Sequence, residues 1–146
     1  SGFRARSEGK IIGVNESFTS YFNKKIELKG KQVNFSMVLN TDCHYDLQYF
    51  CEFNLYFADI NGIKLNGLTV HDSSDLGTLK ELQIYDSYLD KKIIFLFEQD
   101  VGCFIAPIET LTQSESGFEK TNQGISICFK VGFQYSCTLA GSLYIV

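Results

Sequence analysis

From Ile125 to Ile145 the chain alternates between apolar and polar residues, and no other feature constrains the fold as tightly. Odd positions carry Ile125, Ile127, Phe129, Val131, Phe133, Tyr135, Cys137, Leu139, Leu143 and Ile145. Even positions carry Ser126, Lys130, Gln134, Ser136, Thr138 and Ser142. Successive side chains of a strand point to opposite faces, so this pattern predicts strand with one buried face. Fully extended, the run would reach ~70 Å, too long for one domain of 146 residues. The chain must therefore bend or fold back near residues 132–136.

A second run repeats the pattern. Tyr45, Leu47, Tyr49, Cys51, Phe53, Leu55 and Phe57 alternate with Asp46, Gln48, Phe50, Glu52, Asn54 and Tyr56. It leads into Asn61-Gly62, a pair that tolerates the positive φ of a type I′ turn, and so predicts a hairpin returning through Ile63 and Leu65. Asn66-Gly67 punctuates the return. Val33, Phe35, Met37 and Leu39 predict a further strand, and Ile93 to Phe97 reads as a strand covered on both faces. Residues 74–82 hold too few apolar positions for more than one helical turn. Loops are expected at residues 41–44, 70–77, 86–91 and 110–124. Strands separated by short turns predict an all-β, antiparallel β-sandwich of the jelly-roll type, one domain over residues 1–146, cut from a longer chain.

Charge and cysteine usage narrow the functional classes. A formal net charge of −4 without a basic stripe argues against nucleic acid as a partner. No apolar stretch approaches the ~18 residues that a membrane-spanning helix requires. The 5 cysteines are an odd number, so at least one thiol is free or paired between chains. Without a Cys-x-x-Cys they predict small buried apolar groups, with Cys51 and Cys137 in phase with the core. No cofactor is expected. His44 beside Asp46 and His71 beside Asp72 could each form a base and its orienting carboxylate, yet no Gly-x-Ser-x-Gly accompanies them. Asp72 and Asp75 could offer oxygen to calcium, but the spacing does not fit a calcium loop, and turn formation explains both.

Several aromatic residues break the polar phase of their strands: Phe50, Tyr56 and Tyr144. Tyrosine combines area, a hydroxyl and low side-chain entropy, which suits binding surfaces. Recognition is expected on the long polar connections. These are residues 110–124, with Gln113, Ser114, Glu115, Ser116, Glu119 and Asn122, and residues 70–77, with His71, Asp72 and Asp75.

Residues 1–9, SGFRARSEG, and residues 139–146, LAGSLYIV, resemble the opening and closing strands of trimeric heads of the C1q/tumour-necrosis-factor type. LQYFCEFNLYF followed by INGIKLNG is similar to that family's aromatic strand and hairpin, and viral and phage fibre heads share the plan. The resemblance implies first and last strands that lie side by side, with the last in the middle of a sheet, and a structural role for Gly141. It further implies a non-enzymatic, homotrimeric receptor- or ligand-binding head. Such a head would recognise a cell-surface protein or glycan and sit outside the cell or on a virion. The competing expectation is a monomeric C2-like or Ig-like interaction domain inside a larger assembly.

Overall fold

A computed structural model describes residues 1–69, 72–115 and 117–146. Ten strands carry most of the chain: β1 (Gly2–Ile12), β2 (Ser17–Lys29), β3 (Gln32–Thr41), β4 (Leu47–Leu55), β5 (Ile63–Leu65), β6 (Leu68–Thr69), β7 (Ser74–Asp86), β8 (Lys91–Ser114), β9 (Gly117–Phe133) and β10 (Ser136–Ile145). Every strand pairing among the described residues is antiparallel. The only helical element among them is the 3-10 turn Ile60–Gly62. The expected all-β antiparallel sandwich is the fold.

Two layers share their longest strands. The larger layer runs β1-β2-β3-β10-β8-β7-β5-β6, and β9, with β4 beside it, follows β10 along the edge of β8 opposite β7. The first part of β8 pairs with β10, from Ile93↔Ile145 to Phe97↔Gly141. Its second part pairs with β9, from Gly102↔Lys130 onward. Between them β8 bulges against β7, where the register shifts between Leu79 and Glu81. That extra length lets both strands bend from one layer into the other. Residues 74–82, weakly helical by composition, are strand because β8 supplies their ladder.

The long alternating run divides as its length requires. β9 stops at Phe133 and β10 starts at Ser136, with Tyr135 at φ 60 between them. The break carries the chain across the sandwich, since β9 pairs with β4 and β10 with β3. Inward positions Ile125, Ile127, Phe129, Cys137 and Leu139 are all buried.

Phenylalanines fill the space between the layers. Phe97 and Phe129 meet edge to face at 4.5 Å, Phe53 packs on Phe95 at 5.0 Å, and Phe35 touches both Phe53 and Phe97. Such contacts add about 0.5–1.5 kcal/mol per pair beyond burial. Gly141 lies over this cluster. A Cβ there would stand 2.3 Å from the Leu96 carbonyl oxygen and 3.1 Å from Phe35 Cζ. Only glycine allows β8 and the Phe35 ring to approach β10 so closely.

Strand pairing corrects two expectations. Asn61-Gly62 is not a hairpin, because Asp59 caps Asn61 N at 3.0 Å and β4 takes β9 as its partner. The type I′ turn belongs to Asn66 (φ 47) and Gly67 (φ 84), which join β5 to β6. Residues 110–124 are not a loop but the end of a β8–β9 ribbon, from Glu109↔Asn122 to Ser114↔Gly117. Polar side chains there face water on both sides of a two-stranded ribbon, so their composition resembles that of a loop. The strand β2 carried no clear period-two signal, since its polar and apolar residues are mixed on both faces.

Two substitutions measure the inter-layer packing. Phe129→Ala is expected to lower the unfolding free energy by about 3–5 kcal/mol. Gly141→Ala is expected to lower it by about 1–3 kcal/mol through overpacking against Leu96 and Phe35. Urea unfolding read by circular dichroism checks both, and an unchanged midpoint for Gly141→Ala would contradict the close approach.

Candidate functional site

Most groups that could have carried chemistry are committed to structure. His44 packs edge-on to Phe18 at 5.3 Å and against Tyr45 at 4.3 Å. Its expected partner Asp46 instead accepts a hydrogen bond from Gln134 Nε2 at 2.8 Å. The Asp75 carboxylate accepts from Gly77 N at 2.8 Å, and the Asp72 carbonyl accepts from Ser74 Oγ at 3.3 Å. Both are local contacts between residues two apart, the first at the β7 bulge between Asp75 and Gly77. His71 and Ser116 lie outside the described residues. Among the described residues no three His, Cys, Asp or Glu side chains gather as a metal site would require.

Asp75 faces Phe104 across β7 and β8, and the tip of the ribbon, at Ser114↔Gly117, lies roughly 30 Å further along the strand direction, while Asn122 opposes Glu109 nearer the base. In the ribbon Gln113 opposes Phe118, and the Thr112 hydroxyl donates to the Glu119 carbonyl at 3.4 Å. Glu115 is exposed near the tip. Asn122 lies in a cleft.

Of the concave regions that the described residues line, two have distinctive chemistry. The outer face of β1, β2 and β3 forms a groove of about 710 Å³ lined by Arg4, Arg6, Tyr21, Asn23, Lys25 and Ser36. Cross-strand register explains it, because Arg4 opposes Lys25, which opposes Ser36, which opposes Ala140. Small residues in the centre leave a trough between longer walls. Lys25 Nζ pairs with Glu27 at 2.8 Å, and this contact holds the Glu27 carboxyl below its ordinary range. Sequence reading missed this groove, as the charges are dispersed in sequence and converge only through register.

The other concavity is a cleft of about 430 Å³ between the end of β4 and the base of the ribbon. Gly124 creates it. A Cβ at Gly124 would stand 2.2 Å from the Leu55 carbonyl oxygen, so glycine lets β9 press on the last peptide of β4. The register of the β8–β9 ladder shifts between Ile108 and Glu109 at the same level. Tyr56 forms one wall at 78% exposure. Asn54, Thr121, Asn122 and Gln123 line the cleft as well.

With this geometry in place, comparison with known families is decisive. Residues 6–143 match the family described as Alpha-amylase/4-alpha-glucanotransferase, C-terminal. The chain belongs to this family. Among solved structures it is similar to a 4-alpha-glucanotransferase from Thermococcus litoralis, with a TM-score of 0.77 and 20% identity, over 97% of this chain and 20% of that one. It is also similar to the Slr1438 protein from Synechocystis sp. PCC 6803, with a TM-score of 0.55 and 11% identity, over 99% of this chain and 61% of that one. At such identities the likeness shows the fold. Among curated proteins no sequence match reaches significance. The chain thus spans about a fifth of the glucanotransferase it resembles.

Membership overturns the C1q/tumour-necrosis-factor resemblance, and with it the trimeric receptor-binding head and the viral fibre head. The physical reason lies in the strand order. β1 pairs with β2, while β10 is flanked by β3 and β8, so first and last strands are not neighbours. Apolar ends and a Phe-rich middle strand serve a sandwich of either family.

The thiols are not poised as nucleophiles. Burial, with the nearby Asp75 and Cys128, pushes Cys103 up to about 12, and burial likewise raises Cys51 and Cys137. All 5 cysteines are unbridged, and Cys43, Cys51, Cys103 and Cys137 are buried while Cys128 is half-buried. Burial and Glu52 raise Cys128 too, so its thiolate is scarce at neutral pH and grows as pH rises. An aromatic disulfide reagent without denaturant is expected to label Cys128 alone, about tenfold faster for each pH unit from 7 to 9. Cys128→Ser should abolish the labelling, and rapid reaction of Cys51 or Cys103 would contradict the burial.

Proposed function

We propose that this chain is the C-terminal accessory domain of a longer enzyme that hydrolyses α-glucans or transfers segments of them, with the bond-breaking groups elsewhere in that polypeptide. The observation that carries this reading is the family match across residues 6–143. The similar 4-alpha-glucanotransferase, of which the domain covers 20%, supports it.

The local chemistry agrees. Cleaving a glycosidic bond takes two opposed carboxyl groups, one of them kept protonated to serve as acid. Glu27 is shifted in the opposite direction, toward the ionised form, by Lys25. His44 is held among aromatic rings instead of beside a carboxylate. A stiff sandwich fixed by inter-layer phenylalanines suits a domain that holds its surface in a constant relation to its surroundings.

The test uses the full-length polypeptide. Incubated with maltotriose or amylose, it should produce shorter oligosaccharides by hydrolysis, or both shorter and longer ones by transfer. Glu27→Gln, Glu52→Gln and Glu98→Gln in this domain should each leave the turnover rate within about twofold. Loss of a general acid or base costs about 10²–10⁴-fold. A drop of that size would contradict a non-catalytic role, and inertness toward every α-glucan would remove the enzyme assignment.

A further inference from the structure

We infer that the cleft between Tyr56 and the base of the β8–β9 ribbon is a binding site for a short run of glucosyl units. The proposal rests on the α-glucan reading above for the identity of the sugar; the chemistry of the cleft independently selects a neutral, hydroxyl-rich ligand.

The lining residues carry no formal charge. Asn54, Thr121, Asn122 and Gln123 supply amides and a hydroxyl, while Tyr56 and Ile108 supply apolar surface. A neutral sugar presents hydroxyls around its rim and a patch of C–H bonds on its face. Amides that both donate and accept satisfy the rim, and an aromatic ring covers the face. The volume of about 430 Å³ falls inside the range of small-molecule sites, about 300–1,000 Å³.

Two of the amides are fixed before any ligand arrives. Asn122 Oδ1 accepts from Gly124 N at 2.8 Å, which commits its oxygen and leaves the amide NH₂ to donate. Gln123 Nε2 donates to Thr110 Oγ1 at 3.1 Å, which leaves its oxygen to accept. A donor and an acceptor on adjacent residues, each held by the ribbon itself, match neighbouring hydroxyls of one pyranose ring. Preorganisation of this kind lowers the ordering cost of binding. Tyr56, directly after the end of β4, adds a ring at 78% exposure, although continuation of the strand's polar phase would suit a small hydrophilic residue there.

The groove over β1, β2 and β3 is larger but chemically different. Arg4, Arg6 and Lys25 make it cationic, and a neutral glucan gains little from those charges. Of these two, the smaller and uncharged site is therefore the better match for a neutral sugar.

The test uses the full-length enzyme with a thio-linked maltopentaose, whose sulfur-bridged glycosidic bonds resist cleavage. Hydrogen exchange read by mass spectrometry should show ligand-dependent protection of residues 121–124. In Tyr56→Ala that protection should need about tenfold more ligand, and in Asn122→Ala it should weaken as well. Melting temperatures of both variants should stay near the parent's, and Tyr88→Ala should leave the protection unchanged. No protection of residues 121–124 at millimolar ligand, or equal protection in Tyr56→Ala, overturns the site. Activity of the parent on amylose reads the enzyme assignment separately. An active enzyme without protection loses only the site, whereas protection in an enzyme inert toward α-glucans loses only the assignment.

Discussion

The two layers are held together by phenylalanine rings from both, and the rest of the architecture depends on that contact. Phe35 and Phe95 come from the larger layer and Phe53 and Phe129 from the smaller, with Phe97 closing the group. β8 contributes at the point where it bends, so the strand that joins the layers also supplies their filling. A bend without rings would leave a void, and rings without the bend would have no second wall. Gly141 belongs to the same constraint, since the rings sit where they do only if β10 presents no side chain toward Leu96. Around that centre, flatter regions such as β1 and β2 add area to the sheet and little to the core.

Legibility in the sequence followed burial. Runs with one face in the Phe cluster, such as Leu47–Leu55 and the inward residues from Ile125 to Leu139, kept strict alternation and could be read as strands. Strand β2 could not, because it lies near the edge of the larger layer and none of its residues is fully buried. The ribbon escaped for the same reason in stronger form, as neither face of it meets a core. Asn61-Gly62 and Asn66-Gly67 are equal as local signals. Asp59 and the β4–β9 pairing decide between them, and neither is visible within a few residues. Family identity was hidden because chain ends and aromatic strands express sandwich physics that many families share.

The candidate site was legible in pieces. Tyr56 stood out as an aromatic residue on a polar phase, and Asn122 as part of a polar segment, but nothing local connected them. They meet because Gly124 permits contact with the Leu55 carbonyl and the ladder shifts register at Ile108. Asp72 and Asp75 were drawn to attention by the same polar composition; Asp75 sits in β7, where its carboxylate bonds Gly77 N at a bulge, and the Asp72 carbonyl bonds Ser74. Composition marks exposed polar segments; it cannot separate those that converge from those that merely close a turn.

A sandwich of this kind spends its regular strands on pairing and packing, so binding geometry must come from places where pairing stops. β4 ends at Leu55 while β9 continues into the ribbon, and the mismatch in length opens a wall-to-wall gap with backbone on both sides. Side chains at such a gap are held by hydrogen bonds to the ribbon itself, which is how Asn122 and Gln123 come to be fixed without a core beneath them. The broad face of β1 to β3 lacks that property, for its long cationic side chains rise from an unbroken ladder. Recognition of a neutral sugar needs few, fixed, uncharged partners, and an unequal strand ending provides them at the cost of a single glycine.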